Sequence, residues 1–157
     1  MEIIQEQSLH VSSKERDAQS EHLNDDSVAI PYFTDIKASA GNGYINSEDK
    51  TSDFIVLPKS MISGKKLNAI KVYGDSMSPN IKPDSIILID LDKKELKNNT
   101  VFALRYEDEV YVKRIEDHGD TVLLKSDNIQ YSTIVTKRNK IFIIGQVVST
   151  ILDKNIE

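Results

Sequence analysis

Apolar residues in this chain fall in short runs broken by turn formers, not at the three-to-four-residue spacing of an amphipathic helix. The runs lie at 53–57 (DFIVL), 69–73 (AIKVY), 86–91 (IILIDL), 101–106 (VFALRY), 109–116 (EVYVKRIE), 121–125 (TVLLK), 132–136 (STIVT) and 140–151. Gly, Pro, Asn, Asp or Ser punctuates most of the gaps, so each run reads as a strand and the chain as a mainly β domain. Two hairpins are explicit. Glu107 and Asp108 separate VFALRY from EVYVKRI, and Asp117, His118, Gly119 and Asp120 separate that strand from TVLLK, with Gly119 able to take a positive φ. Asn80, Pro83 and Asp84 mark another turn, and the polar connection 93–99 has room for a helical turn. There is no internal repeat.

Residues 1–29 lack this texture. They hold few large apolar side chains, no period, and seven acids (Glu2, Glu6, Glu15, Asp17, Glu21, Asp25, Asp26) against two bases (Lys14, Arg16). The chain as a whole has 25 acids and 20 bases, so its entire net charge of −5 sits in this arm and the remainder balances at 18 against 18. Such a segment is expected to be a disordered or loosely attached arm. The organisation predicted is an acidic arm (1–29), a linker and loop (30–52) and a β domain (53–157).

Composition narrows the function classes. The length of 157 residues suits one domain, and with 6% aromatics and no Trp its core must rest on Ile, Val and Leu. The absence of Cys removes disulfides, thiolate zinc sites and cysteine nucleophiles, and fits a reducing cytoplasm. No apolar stretch approaches the roughly 18 residues of a membrane span, and no secretory signal pattern opens the chain. A pI near 5.3 is a poor electrostatic footprint for nucleic acid.

Three places carry candidate chemistry. Residues 36–50 contain the small-residue run Ala38, Ser39, Ala40, Gly41 and Gly43, which is either a plain loop or a segment able to lie extended in a narrow protease cleft. Gly74, Asp75, Ser76 and Met77 follow a strand, so Ser76 is either a turn residue or a nucleophile on an exposed turn. Lys113 lies within a strand; alternation puts it on a face with Tyr111 and Ile115, opposite Val110, Val112 and Arg114. It is either a solvated strand lysine or a buried one. Burial matters, because an amine of pKa about 10.4 is a base at neutral pH only when desolvation lowers that value. A neutral Lys113 amine within reach of Ser76 makes a nucleophile and base pair without histidine. The turn at Gly74, Asp75 and Met77 then aims backbone N–H groups at an oxyanion. A histidine triad is unattractive, since His10 and His22 lie in the arm and His118 in a hairpin turn.

Taken in order, Ala40-Gly41, Gly-Asp-Ser-Met and Val-Lys-Arg-Ile 37 positions after the serine resemble the self-cleaving serine peptidase domain shared by LexA, CI-type phage repressors and UmuD. IKPDSIILID, LLKSDNIQYSTIV and IFIIGQVV extend the resemblance from about Pro31 to Leu152. It implies a LexA/signal-peptidase-like β fold, Ser76 as nucleophile, Lys113 as general base, and Ala40–Gly41 as the scissile bond. It implies no cofactor, a homodimer, and a RecA-type filament as the activating partner in a DNA-damage or prophage switch. Only 39 residues precede Ala40, too few and too acidic for the helix-turn-helix of the repressors, so direct DNA binding by this chain is not expected. A UmuD-like dimeric accessory subunit of a translesion polymerase is the alternative. Signal peptidases share the serine and lysine motifs but use a membrane anchor, for which this chain offers no segment.

Overall fold

Which apolar runs become strands depends on what they find to pair with. The computed structural model describes residues 2–4, 26–34 and 53–151. Among these residues ten strands form one sheet: β1 (Glu2–Ile4), β2 (Ser27–Phe33), β3 (Asp53–Pro58), β4 (Leu67–Lys71), β5 (Ile86–Asp90), β6 (Thr100–Tyr106), β7 (Glu109–His118), β8 (Thr121–Lys125), β9 (Ile134–Lys137) and β10 (Ile141–Ile151). Their spatial order is β3-β2-β4-β5-β10-β6-β7-β8-β9, with β1 parallel to the end of β10. The predicted strands all occur, within two residues at their starts and ends.

The central strands are covered on both faces. In β5, Ile86 and Leu88 enter a cluster with Ile55 and Leu57, whereas Ile87 and Ile89 enter another with Ile70, Met77 and Ile81. In β6, Val101 and Ala103 join that second cluster, while Phe102 and Leu104 join a third with Ile115, Val122 and Leu124. Strand alternation thus sends neighbouring residues into different cores.

β10 joins the two halves of the sheet. Its first half pairs with β6 and its second with β5, and its register shifts between Ile143 and Gly145 and again between Val147 and Ser149. A Cβ on Gly145 would clash with the Asp90 carbonyl oxygen and lie 2.6 Å from Ile89 Cγ2, so only glycine allows this approach.

Three local features depart from the sequence reading. β2 crosses the boundary drawn at 29/30: Ile30 pairs with Ile55, Tyr32 with both Asp53 and Ala69, and residues from both sides of the boundary enter the sheet. The connection 93–99 forms turns without helix, and a helical turn occurs instead at Lys59–Ile62, where Ile62 is buried. β7 continues to His118, which shortens the second hairpin loop to Gly119 and Asp120, with Gly119 at φ 80°. The first hairpin turns on Glu107 and Asp108, at φ 48° and 62°, the two positive values of a type I′ turn.

Candidate active site

After β4 the chain passes Val72 and Tyr73 and turns at Gly74, whose φ of 75° is one that a side chain would oppose. Hydrogen bonds from Ser78 N–H to the Asp75 carbonyl (3.0 Å) and from Ile81 N–H to the Met77 carbonyl (2.9 Å) close the turn around Ser76. Met77 and Ile81 are almost wholly buried and anchor it in the core cluster below. At its base, Val72 N–H bonds the Ser85 carbonyl and Asp84 N–H bonds the Val72 carbonyl.

Lys113 is 6% exposed on β7, on the face shared with Tyr111 and Ile115. Its Nζ donates to Ser126 Oγ at 2.6 Å and lies 5.8 Å from the ring centroid of Tyr111 and 5.7 Å from that of Tyr131. Burial pushes this amine below the ordinary lysine value. The next residue points the other way and is treated differently. Arg114 Nε and Nη2 donate to the two oxygens of Asp127 at 2.8 and 2.9 Å, and Nη1 donates to the Asn99 carbonyl.

The two motifs meet in a cavity of about 510 Å³ whose wall includes Gly74, Asp75, Ser76, Met77 and Lys113. All five described residues proposed for the chemistry are therefore brought together. Among the described residues, the side-chain hydrogen bond of Lys113 goes to Ser126 and none joins it to Ser76. Ala40 and Gly41 lie outside the described residues. Thr34, six positions before Ala40, stands in the cavity wall, and its carbonyl accepts a hydrogen bond from the Tyr73 hydroxyl. His118 lies at its hairpin, exposed, with Nε2 2.7 Å from Glu116 Oε1.

The segment after β8 contributes residues that sequence reasoning missed. Besides Ser126, Asn128 donates its backbone N–H to the Ser76 carbonyl (3.0 Å) and Nδ2 to the Asp75 carbonyl (3.1 Å). The Tyr131 hydroxyl donates to Asp75 Oδ1. In sequence this stretch is a polar run of turn formers after a strand, and nothing in such a run singles out a position.

Among the described residues no group of His, Asp and Glu could hold a metal ion, and no helix is long and apolar enough to cross a membrane. The chain is 30% identical over 115 residues to the LexA repressor of Mannheimia succiniciproducens, a stretch covering 73% of this chain and 53% of that protein. It is 28% identical over 128 residues to LexA repressor 1 of Nocardia farcinica, covering 82% and 57%. An uncharacterized HTH-type transcriptional regulator of Haemophilus influenzae is 31% identical over 133 residues, covering 76% and 54%. The chain spans about half the length of these curated relatives. The family model described as Peptidase S24-like matches residues 31–148, from within β2 to near the end of β10, and over that span this protein belongs to the Peptidase S24-like family.

Proposed function

We propose that this chain is a serine endopeptidase that cuts its own Ala40–Gly41 bond, with Ser76 as nucleophile and Lys113 as general base, in a LexA-type transcriptional switch responding to DNA damage or prophage induction. The observation that carries the reading is the shared cavity: Ser76 on a pinned turn and a buried Lys113 in its wall, 37 positions apart in sequence. The substrate segment is within range, since six residues beyond Thr34 extend to about 20 Å.

Among the described residues, Lys113 meets a hydroxyl and two rings and no ion pair joins it to a carboxylate that would hold its proton. Once neutral, its amine can spend one N–H on Ser126 and turn its lone pair toward Ser76. Lys113 Nζ then takes the Ser76 hydroxyl proton as Oγ bonds to the Ala40 carbonyl carbon. Backbone N–H groups of the Gly74–Met77 turn receive the oxyanion. Collapse breaks the C–N bond, and the Lys113 ammonium returns the proton to the Gly41 amine. Water then hydrolyses the Ser76 ester, with Lys113 as base again.

The names of the relatives, LexA repressors and an HTH-type regulator, favour a repressor switch over a polymerase accessory subunit. The expected partners are a second copy of the chain and a RecA-type filament, in the cytoplasm. The test is mass spectrometry of the purified chain at alkaline pH, where fragments of 40 and 117 residues are expected. A chain left intact at high pH and with an activated filament would overturn the reading, as would cleavage that survives Ser76→Ala.

A further inference from the structure

Residues 126–131 form a strap whose polar groups reach the base strand and the nucleophile turn in succession. Ser126 meets Lys113, Asp127 meets Arg114 on β7 and Asn80 beyond the turn, and Asn128 meets the carbonyls of Asp75 and Ser76. Tyr131 closes the strap and touches both sides at once. Its hydroxyl donates to the Asp75 carboxylate, beside the serine, while its ring lies 5.7 Å from Lys113 Nζ.

We infer that Tyr131 is a positioning residue for the Ser76 and Lys113 pair, holding the serine turn through Asp75 and covering the lysine with its ring. The inference rests on the Ser–Lys reading above. The two contacts have separate consequences. The hydrogen bond fixes where Ser76 sits relative to the base, and small displacements of a nucleophile are costly. The ring attracts the ammonium form and so opposes the effect of burial on Lys113. The hydrogen bond to Asp75 also raises the Tyr131 hydroxyl above the ordinary tyrosine value, which favours the protonated form that donates to Asp75. The other titratable groups lining the cavity are Lys71, Tyr73, Asp75 and Tyr111.

Two substitutions in the full-length chain separate the contacts. Tyr131→Phe keeps the ring and removes the hydroxyl, and self-cleavage should slow about tenfold with the midpoint of its pH profile unchanged. Tyr131→Leu keeps an apolar cover but removes the ring, and should slow cleavage further while moving the midpoint down by about half a pH unit. Wild-type rates and midpoints in both variants would overturn the inference. So would rate losses that merely follow the folded fraction, measured by thermal melts, with no change in the pH profile. A second readout needs no cleavage: NMR titration of ¹³C-lysine in a Ser76→Ala background, where Tyr131→Leu should lower the Lys113 midpoint by the same half unit. An unchanged midpoint there overturns the inference. A lowered midpoint in a chain whose wild-type form never cleaves overturns the proposed function and leaves the placement of Tyr131 standing.

Discussion

The two faces of β7 meet the same charge in opposite ways. On one face, Lys113 is buried against a hydroxyl and two tyrosine rings, and desolvation moves it toward its neutral form. On the other face, one residue on, Arg114 is forked onto Asp127, whose hydrogen bonds hold both groups firmly ionised. A fold that wanted only stability would use the second arrangement twice, because a charge without a counter-ion is costly to bury. The difference teaches that the Lys113 face gives up stability for an amine that loses its proton more easily, while the far face supplies an anchor for the segment that carries Ser126 and Tyr131.

The contrast is most directly broken by removing each charge in turn. Lys113→Met should abolish self-cleavage, by more than about 10³-fold, yet raise stability by about 1 kcal/mol in denaturant titration. Arg114→Met should do the reverse, costing about 2 kcal/mol because Asp127 loses its guanidinium and keeps only Asn80, while cleavage falls less than about tenfold. If both variants lose stability alike, the two faces are energetically the same and the comparison fails.

The faces should also titrate at opposite ends of the pH scale. Asp127 has a lowered folded value, so its contribution is complete above the ordinary 3.8 and disappears as pH falls through the lowered value. Asp127→Asn should flatten the acid side of the stability profile. Lys113 is also lowered, but as a base its charged form penalises the fold. That penalty applies below its folded value and is relieved as pH rises from there toward the ordinary 10.5. The wild type should therefore gain on Lys113→Met across that alkaline window. The smallest effect belongs to Ser126→Ala, which removes the oxygen that accepts from Lys113. A few-fold loss of cleavage rate is expected, with a midpoint lower by a few tenths of a pH unit.

The strand that carries Lys113 and those flanking the Ser76 turn were legible because their alternation is strong and their turns contain Gly, Asp or Pro. Ser76 and Lys113 could be named from short motifs, and the face of Lys113 followed from alternation around Tyr111 and Ile115. β2 was not legible. SVAIPYF follows an acidic arm and contains a proline, and what makes it a strand is pairing with β3 and β4, which is a tertiary fact. The strap was hidden for a related reason. Asn128 and Tyr131 matter through partners more than 50 positions away, and local composition records only a turn.

β2 has a further consequence for what cutting the chain would accomplish. It lies inside the sheet, between β3 and β4, and it precedes Ala40. A break after Ala40 therefore leaves β2 in the N-terminal piece while its hydrogen-bond partners stay in the C-terminal piece. Hydrolysis by itself would produce a nicked but associated pair, and separation would require drawing β2 from between β3 and β4 and β1 off β10. The lifetime of the intact signal and the lifetime of the complex would then be two different clocks, one set by Lys113 and the other by how fast β2 lets go.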